Sequence, residues 1–285
     1  MYKLMNGKEV AEKIKLQVKG EIEERGLNPK LAVIVVGNDP ASKIYVNNKK
    51  KACEQVGIES LECYFKEDTT EDVLVRFIHE LNENPRVSGI LVQLPLPKHI
   101  DAKKILEQIN PVKDVDCFTS VNTGKLWLNK YDVAPCTAIG IIELLDHYNI
   151  DIAGKHCVIV GRSNIVGKPV AALMLERNAT VTVCHSKTKN LSDITRQADI
   201  LIAAVGKPRF ITWGMVKEGA VVIDVGINRD ENGKLCGDVA FDRTPDDGEG
   251  VADKSSYITP VPGGVGPMTV AMLMKNTLIA AKNMA

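Results

Sequence analysis

The sequence lacks net charge: 36 lysine and arginine residues are offset by 36 aspartate and glutamate residues, giving +0 at pH 7. The basic residues are scattered among the acidic ones, so nothing supplies the positive stripe that a nucleic-acid backbone requires, and no nucleic-acid partner is expected. Long apolar runs are missing too. Apolar stretches such as Val33–Val36 and Gly89–Leu94, the latter broken by Gln93, have strand length and fall far below the roughly 20 residues that cross a bilayer. The opening Met-Tyr-Lys-Leu-Met-Asn-Gly-Lys-Glu enters a charged helical pattern at once, without an apolar signal core or small-residue cleavage site. These absences predict a cytoplasmic chain with no membrane partner. The seven cysteines, at 53, 63, 117, 136, 157, 184 and 236, form no CxxC pair and accompany no clustered histidine. Neither a disulfide framework nor a metal site is expected of them; buried reduced thiols are.

What the sequence does have is alternation. At 285 residues it exceeds the usual size of one hydrophobic core, so two compact domains are expected. From Glu9 to Arg25 the apolar residues Val10, Ile14, Val18 and Ile22 recur every fourth position, the stripe of an amphipathic helix. A strand over Leu31–Val36 follows. Asp39-Pro40 then starts a helix that Gly57 stops. A strand near Leu61–Phe65, a helix opened by Thr69 or Thr70 and a buried strand Gly89–Leu94 continue the series. A helix over Ile139–Tyr148 leads into a second series, with strands at 156–160, 180–184, 199–204 and 220–225 and a hairpin at Asn232-Gly233. Strand and helix alternating in this way predict α/β architecture with parallel sheets. The expected domains are 1–138 and 139–266, with a final helix over 267–285 returning to the first.

The stretch from His156 to Pro169 is a buried strand, a turn bearing Gly161 and a helix start at Gly167, an arrangement that lets backbone N–H groups meet a pyrophosphate. The spacing departs from GxGxxG, so a plain structural turn stays open on pattern alone. The next strand ends Cys184-His185-Ser186-Lys187, where an NAD site would place an acidic residue. A hydroxyl and a lysine there, with Arg162 on the first turn, suit a 2′-phosphate, which favours NADP. Gly206 and the segment Asp224–Asn228 each follow a buried strand, at the edge where ligands sit in doubly wound folds; simple turn glycines are the alternative.

A second polar set lies elsewhere. Tyr45 and Lys49 are one helical turn apart, so they share a face. A helical lysine is usually just solvated. Gln93, at the end of a buried strand, and Asp114 and Asp116 in Asp-Val-Asp-Cys-Phe give Lys49 company. The segment Thr259–Thr269 is so rich in glycine and proline that it resembles a ligand loop more than an ordinary connection.

Tyr45-Val-Asn-Asn-Lys49-Lys-Lys-Ala-Cys53 and Pro262-Gly-Gly-Val-Gly-Pro-Met-Thr269 resemble the two signature segments of the bifunctional methylenetetrahydrofolate dehydrogenase/methenyltetrahydrofolate cyclohydrolase family. Val92–Pro97, Lys113–Asp116, Pro135-Cys136-Thr137 and Gly161–Gly167 resemble it as well, in order. The resemblance implies an N-terminal α/β catalytic domain that binds folate and a C-terminal Rossmann-like domain that binds NADP, with a cleft between them. It implies oxidation of 5,10-methylenetetrahydrofolate and hydrolysis of the methenyl product, by a homodimer. Tyr45 would stack on the pterin, Lys49 transfer protons in cyclohydrolysis, Gln93 hydrogen-bond Lys49, and Asp116 bind pterin nitrogens. Leu94, Pro95, Pro262, Gly263 and Gly264 would complete the substrate contacts. Gly161, Arg162, Ser163, Ser186, Gly206, Ile227 and Thr269 would contact NADP. Two positions depart from the family pattern: Cys117 stands where glycine is common, and Ala138 where proline often follows Cys-Thr. No GxxxxGK[ST] phosphate loop occurs, so a fused formate ligase activity is not expected. The rival readings are a two-domain dehydrogenase of an amino acid or shikimate-like acid, and a catalytically dead folate or nucleotide binder.

Overall fold

A computed structural model describes residues 2–242 and 249–284, with the backbone alone at residues 40–42. Met1 and Ala285, at the ends of the expected segments, lie outside the described residues. The chain runs β1 (Lys3–Leu4), α1 (Gly7–Arg25), β2 (Lys30–Val36), α2 (Pro40–Val56), β3 (Glu59–Phe65), α3 (Glu71–Glu83) and β4 (Gly89–Val92). The helices α4 (Ala102–Leu106), α5 (Ser120–Trp127) and α6 (Cys136–His147) follow. Then come β5 (His156–Val160), α7 (Gly167–Glu176), β6 (Thr180–Cys184), α8 (Leu191–Thr195), β7 (Ile200–Ala203) and β8 (Val221–Asp224). Last are β9 (Asn228–Arg229), β10 (Leu235–Cys236), α9 (Val251–Lys254), β11 (Tyr257–Ile258) and α10 (Val265–Met284). No helix among the described residues is long and apolar enough to cross a membrane.

Packing divides the chain into two compact units, Met1–Ala11 with Thr137–Thr269, and Glu12–Cys136 with Val270–Ala285. In the second of these, β2 pairs in parallel with β3 on one side and β4 on the other. Its core gathers Ile34 and Ile90 from the sheet with Leu74, Ile78 and Leu81 from α3, which present one face at helical spacing. Each such side chain contributes about 1.5–3 kcal/mol on burial. Lys113 is buried and caps the end of α3, its Nζ donating to the carbonyls of Leu81 (3.0 Å), Asn82 (2.7 Å) and Asn84 (2.7 Å). Burial pushes the Lys113 pKa down. The next residue, Asp114, forms a parallel bridge with Ile90, which seats the 114–116 segment beside β4.

In the other unit β5, β6, β7, β8, β11 and β1 build one sheet in the order β1-β11-β8-β7-β5-β6, and every pairing is parallel. From β5 the chain moves to β6 on one side and then to β7 on the other. The crevice at the carboxyl ends of β5 and β7 is therefore the topological switch point, the usual ligand position in open parallel sheets. The expected hairpin is present as the antiparallel pair β9–β10 around Gly233.

Candidate active site

In the unit holding α2, Lys49 and Gln93 meet. Lys49 Nζ donates to Gln93 Oε1 at 2.9 Å, and Gln93 Nε2 donates to the Leu94 carbonyl at 2.8 Å. Both ends of the amide are thus engaged, and the backbone N–H of Gln93 is fixed on Ile34 at 2.9 Å. The lysine accordingly meets a carbonyl oxygen held in one orientation. Tyr45 lies one turn earlier on α2 and is 38% exposed, open to a planar partner. Leu94 is half-buried and Pro95 exposed, joined by a cis peptide.

Asp116 completes this cluster. Dense packing desolvates its carboxyl and pushes its pKa up, against the opposing pull of the Lys49 charge; Asp114 adds to the rise. The residue still keeps part of its surface accessible. Asp114 is spent differently, accepting from the backbone N–H groups of Phe118 (3.1 Å) and Thr119 (2.9 Å) and from Asn122 Nδ2 (3.1 Å) at the start of α5. Two further residues had no role assigned from sequence, Cys136 named only within a family-like segment and Asn276 not at all. Cys136 has its thiol pKa driven well up by burial and then by the Asp116 charge. Asn276, on α10, donates from Nδ2 to the carbonyls of Val115 and Ala134, both at 2.9 Å, and lies 3.5 Å from Cys136 Sγ. A single amide thereby ties Val115, just before Asp116, to Ala134, two residues before Cys136.

The remaining predicted residues line the carboxyl edge of the large sheet. The backbone bonds Gly161 N–Cys184 O (2.9 Å), Ala204 N–Val160 O (2.8 Å) and Val225 N–Ala203 O (2.9 Å) bring the loops after β6, β5, β7 and β8 to one rim. Gly161 and Gly167 are dictated by space: a Cβ on Gly161 would fall 2.2 Å from the Ala204 carbonyl, and one on Gly167 2.1 Å from the Gly161 carbonyl. The result is a close-packed strand–turn–helix start, a geometry that a pyrophosphate fits and that a plain structural turn shares. Ser163 Oγ accepts from the N–H groups of Val166 (3.1 Å) and Gly167 (3.4 Å), shaping that start. Arg162, Ser186 and Lys187 are exposed on neighbouring loops, and no acidic side chain follows β6 before residue 193. This donor set suits a nucleotide 2′-phosphate. Gly206 and Ile227 are exposed on the β7 and β8 loops. After β11 the same rim carries exposed Pro262, half-buried Gly263 and buried Gly264, and Thr269 Oγ1 lies 3.1 Å from Thr137 Oγ1.

Two family models match the chain: tetrahydrofolate dehydrogenase/cyclohydrolase, catalytic domain, over residues 5–116, and its NAD(P)-binding domain over residues 135–285. The bifunctional protein FolD of Acetivibrio thermocellus is 58% identical over 283 residues, covering 98% of this chain and 97% of its own. The crystal structure of FolD from Campylobacter jejuni superposes with a TM-score of 0.94 at 50% identity, covering 99% of each chain. The Trypanosoma brucei enzyme, solved with NADP and an inhibitor, superposes with a TM-score of 0.91 at 39% identity, covering 99% of this chain and 98% of its own. With both halves matched and this similarity sustained from end to end, the chain belongs to the tetrahydrofolate dehydrogenase/cyclohydrolase family.

Proposed function

We propose that Lys49 is the proton-transfer group of this enzyme, held by Gln93 and flanked by Asp116. The enzyme oxidises 5,10-methylenetetrahydrofolate to 5,10-methenyltetrahydrofolate with NADP and hydrolyses the product to 10-formyltetrahydrofolate. NADP, when bound, supplies the hydride acceptor. Oxidation asks the protein chiefly for alignment, whereas attack of water on the methenyl cation and opening of the ring require a proton to be taken up and returned. Lys49 alone in its cluster offers an amine for that exchange, and the 2.9 Å bond to Gln93 that fixes it carries the reading.

Tyr45 stacks on the pterin and Asp116 accepts from its ring nitrogens; Gln93, Leu94, Pro95 and the Pro262–Gly264 loop supply further substrate contacts. Gly161, Arg162, Ser163, Ser186, Gly206, Ile227 and Thr269 hold the cofactor. Folate chemistry belongs to segment 1–138 with the helix 267–285, and NADP binding to segment 139–266. The partners are tetrahydrofolate derivatives and a second copy of the chain, in the cytoplasm.

The test mixes purified protein with 5,10-methylenetetrahydrofolate and NADP or NAD, following reduced cofactor and methenyl absorbance before and after acidification. NADP reduction without methenyl accumulation, the methenyl signal returning in acid, supports both activities; no reduction with either cofactor overturns the reading. Lys49→Met is expected to slow cyclohydrolysis about 100-fold or more while NADP binding holds. Full cyclohydrolase turnover in that variant would remove Lys49 from its role.

A further inference from the structure

Asp238 took no part in the sequence reading, yet its side chain is fully buried. Oδ2 accepts from the backbone N–H of Val205 at 2.6 Å and of Gly206 at 3.0 Å. Oδ1 accepts from the N–H of Lys207 at 2.9 Å and from Asn228 Nδ2 at 2.8 Å. Its negative charge is therefore answered by N–H donors, among them three consecutive backbone amides bent around it as a nest.

A second carboxylate holds the first in place. Asp224 Oδ1 accepts from the N–H of Asp238 and of Gly226, both at 2.9 Å, and Oδ2 accepts from Val239 N at 3.0 Å. The space is reciprocal. A Cβ on Gly226 would sit 2.4 Å from Asp238 Cγ, and one on Gly237 would sit 1.8 Å from Asp224 Oδ2. Each carboxylate fills the room that the other strand's glycine leaves, locking the β7 and β8 loops at the ligand rim to the segment after β10.

Burying a carboxylate costs several kcal/mol of desolvation, and a well-packed apolar group often serves stability as well or better. What the charge achieves here is geometric: it sets the direction of three successive peptide units at the switch point. We propose that Asp238 is a positioning residue for NADP, acting through the Val205–Lys207 turn and Asn228 on the backbone that receives the cofactor. This rests on the reading of Gly206 and Ile227 as cofactor contacts.

The test is the NADP dissociation constant, measured by calorimetry on the whole protein, beside turnover of added 5,10-methenyltetrahydrofolate. Asp238→Asn keeps the shape but turns an amide NH2, itself a donor, toward N–H donors. It is expected to weaken NADP about tenfold or more, with cyclohydrolase turnover within about twofold of wild type. Asn228→Ala removes one donor at a half-buried position and should weaken NADP about threefold, which keeps the test decisive if Asp238→Asn does not fold. Unchanged NADP affinity in a folded Asp238→Asn, or in Asn228→Ala when the former is lost, overturns the proposal. So does a loss of affinity matched by an equal loss of cyclohydrolase turnover. Wild-type protein that binds NADP but turns over no folate would defeat the proposed function while leaving this binding test intact.

Discussion

At the scale of single residues, the departure at Cys117 acquires a physical meaning. Its φ is 59°, in the left-handed region, and the side chain is buried. Glycine, common there in the family pattern, adopts that backbone freely, whereas a side chain costs about 1–2 kcal/mol. Cys117→Gly is therefore expected to be more stable than Cys117→Ala by about 1 kcal/mol, the reverse of the order at an ordinary buried position, as read by urea unfolding. The opposite ranking would show that packing outweighs backbone strain beside Asp116. Asp224 supplies a pH dependence. Burial raises its pKa from 3.8 to about 7, outweighing three backbone hydrogen bonds. The folded protein thus holds a proton that the unfolded chain releases, so the contribution to stability is complete below 3.8 and is lost as pH rises through about 7. Urea midpoints of wild type should fall with pH across that window more steeply than those of Asp224→Asn; parallel slopes would refute it. Lys49 and Gln93 were legible because both sit at recognisable places, a helix face and a strand end. Asp238 and Asn276 were not, because their partners are mostly backbone groups, which leave no trace in residue type or spacing.

Among elements, period and punctuation worked where the element was long. The stripe Val10, Ile14, Val18 and Ile22 is buried throughout, and α2 runs from Pro40 to Val56 as its start and stop residues require. The short pieces were invisible: α4 spans five residues, and β1 and β11 two each, too few for any periodicity to register. Ala138 lies within the first turn of α6, where proline is tolerated and alanine equally at home, so this departure leaves the helix intact. The helix α10 was visible as an apolar period, but the polar Asn276 inside it was not read as a tie. Asn276→Leu leaves the buried Ala134 carbonyl without this donor and the Val115 carbonyl with only the weak Cys136 thiol, and is expected to cost about 2–3 kcal/mol. Because the Val115 carbonyl belongs to the peptide that leads into Asp116, cyclohydrolase turnover should drop while the NADP dissociation constant stays put. A variant with wild-type unfolding and turnover would show that water replaces the amide without loss.

On the scale of the whole molecule, alternation of strand and helix correctly implied two parallel sheets, because parallel neighbours demand crossover connections. The order of strands in space was not available from it. Pairing is decided by contacts between distant stretches, and the outermost strand of the large sheet shows how distant: Lys3 and Leu4 lie beside Tyr257 and Ile258. A chain emerging from a ribosome meets this as a delay. At about 5–20 residues per second, β1 waits roughly 13–50 seconds for its partner to be synthesised. The Asn276 tie beside Asp116 closes later in synthesis still, although its ends lie only 161 residues apart. A nascent chain halted between residues 117 and 275 carries Tyr45, Lys49, Gln93 and Asp116 but lacks the amide that ties the segment before Asp116 in place. In the order of translation, the polar groups of the cluster are thus all made well before the amide that braces the segment leading into Asp116.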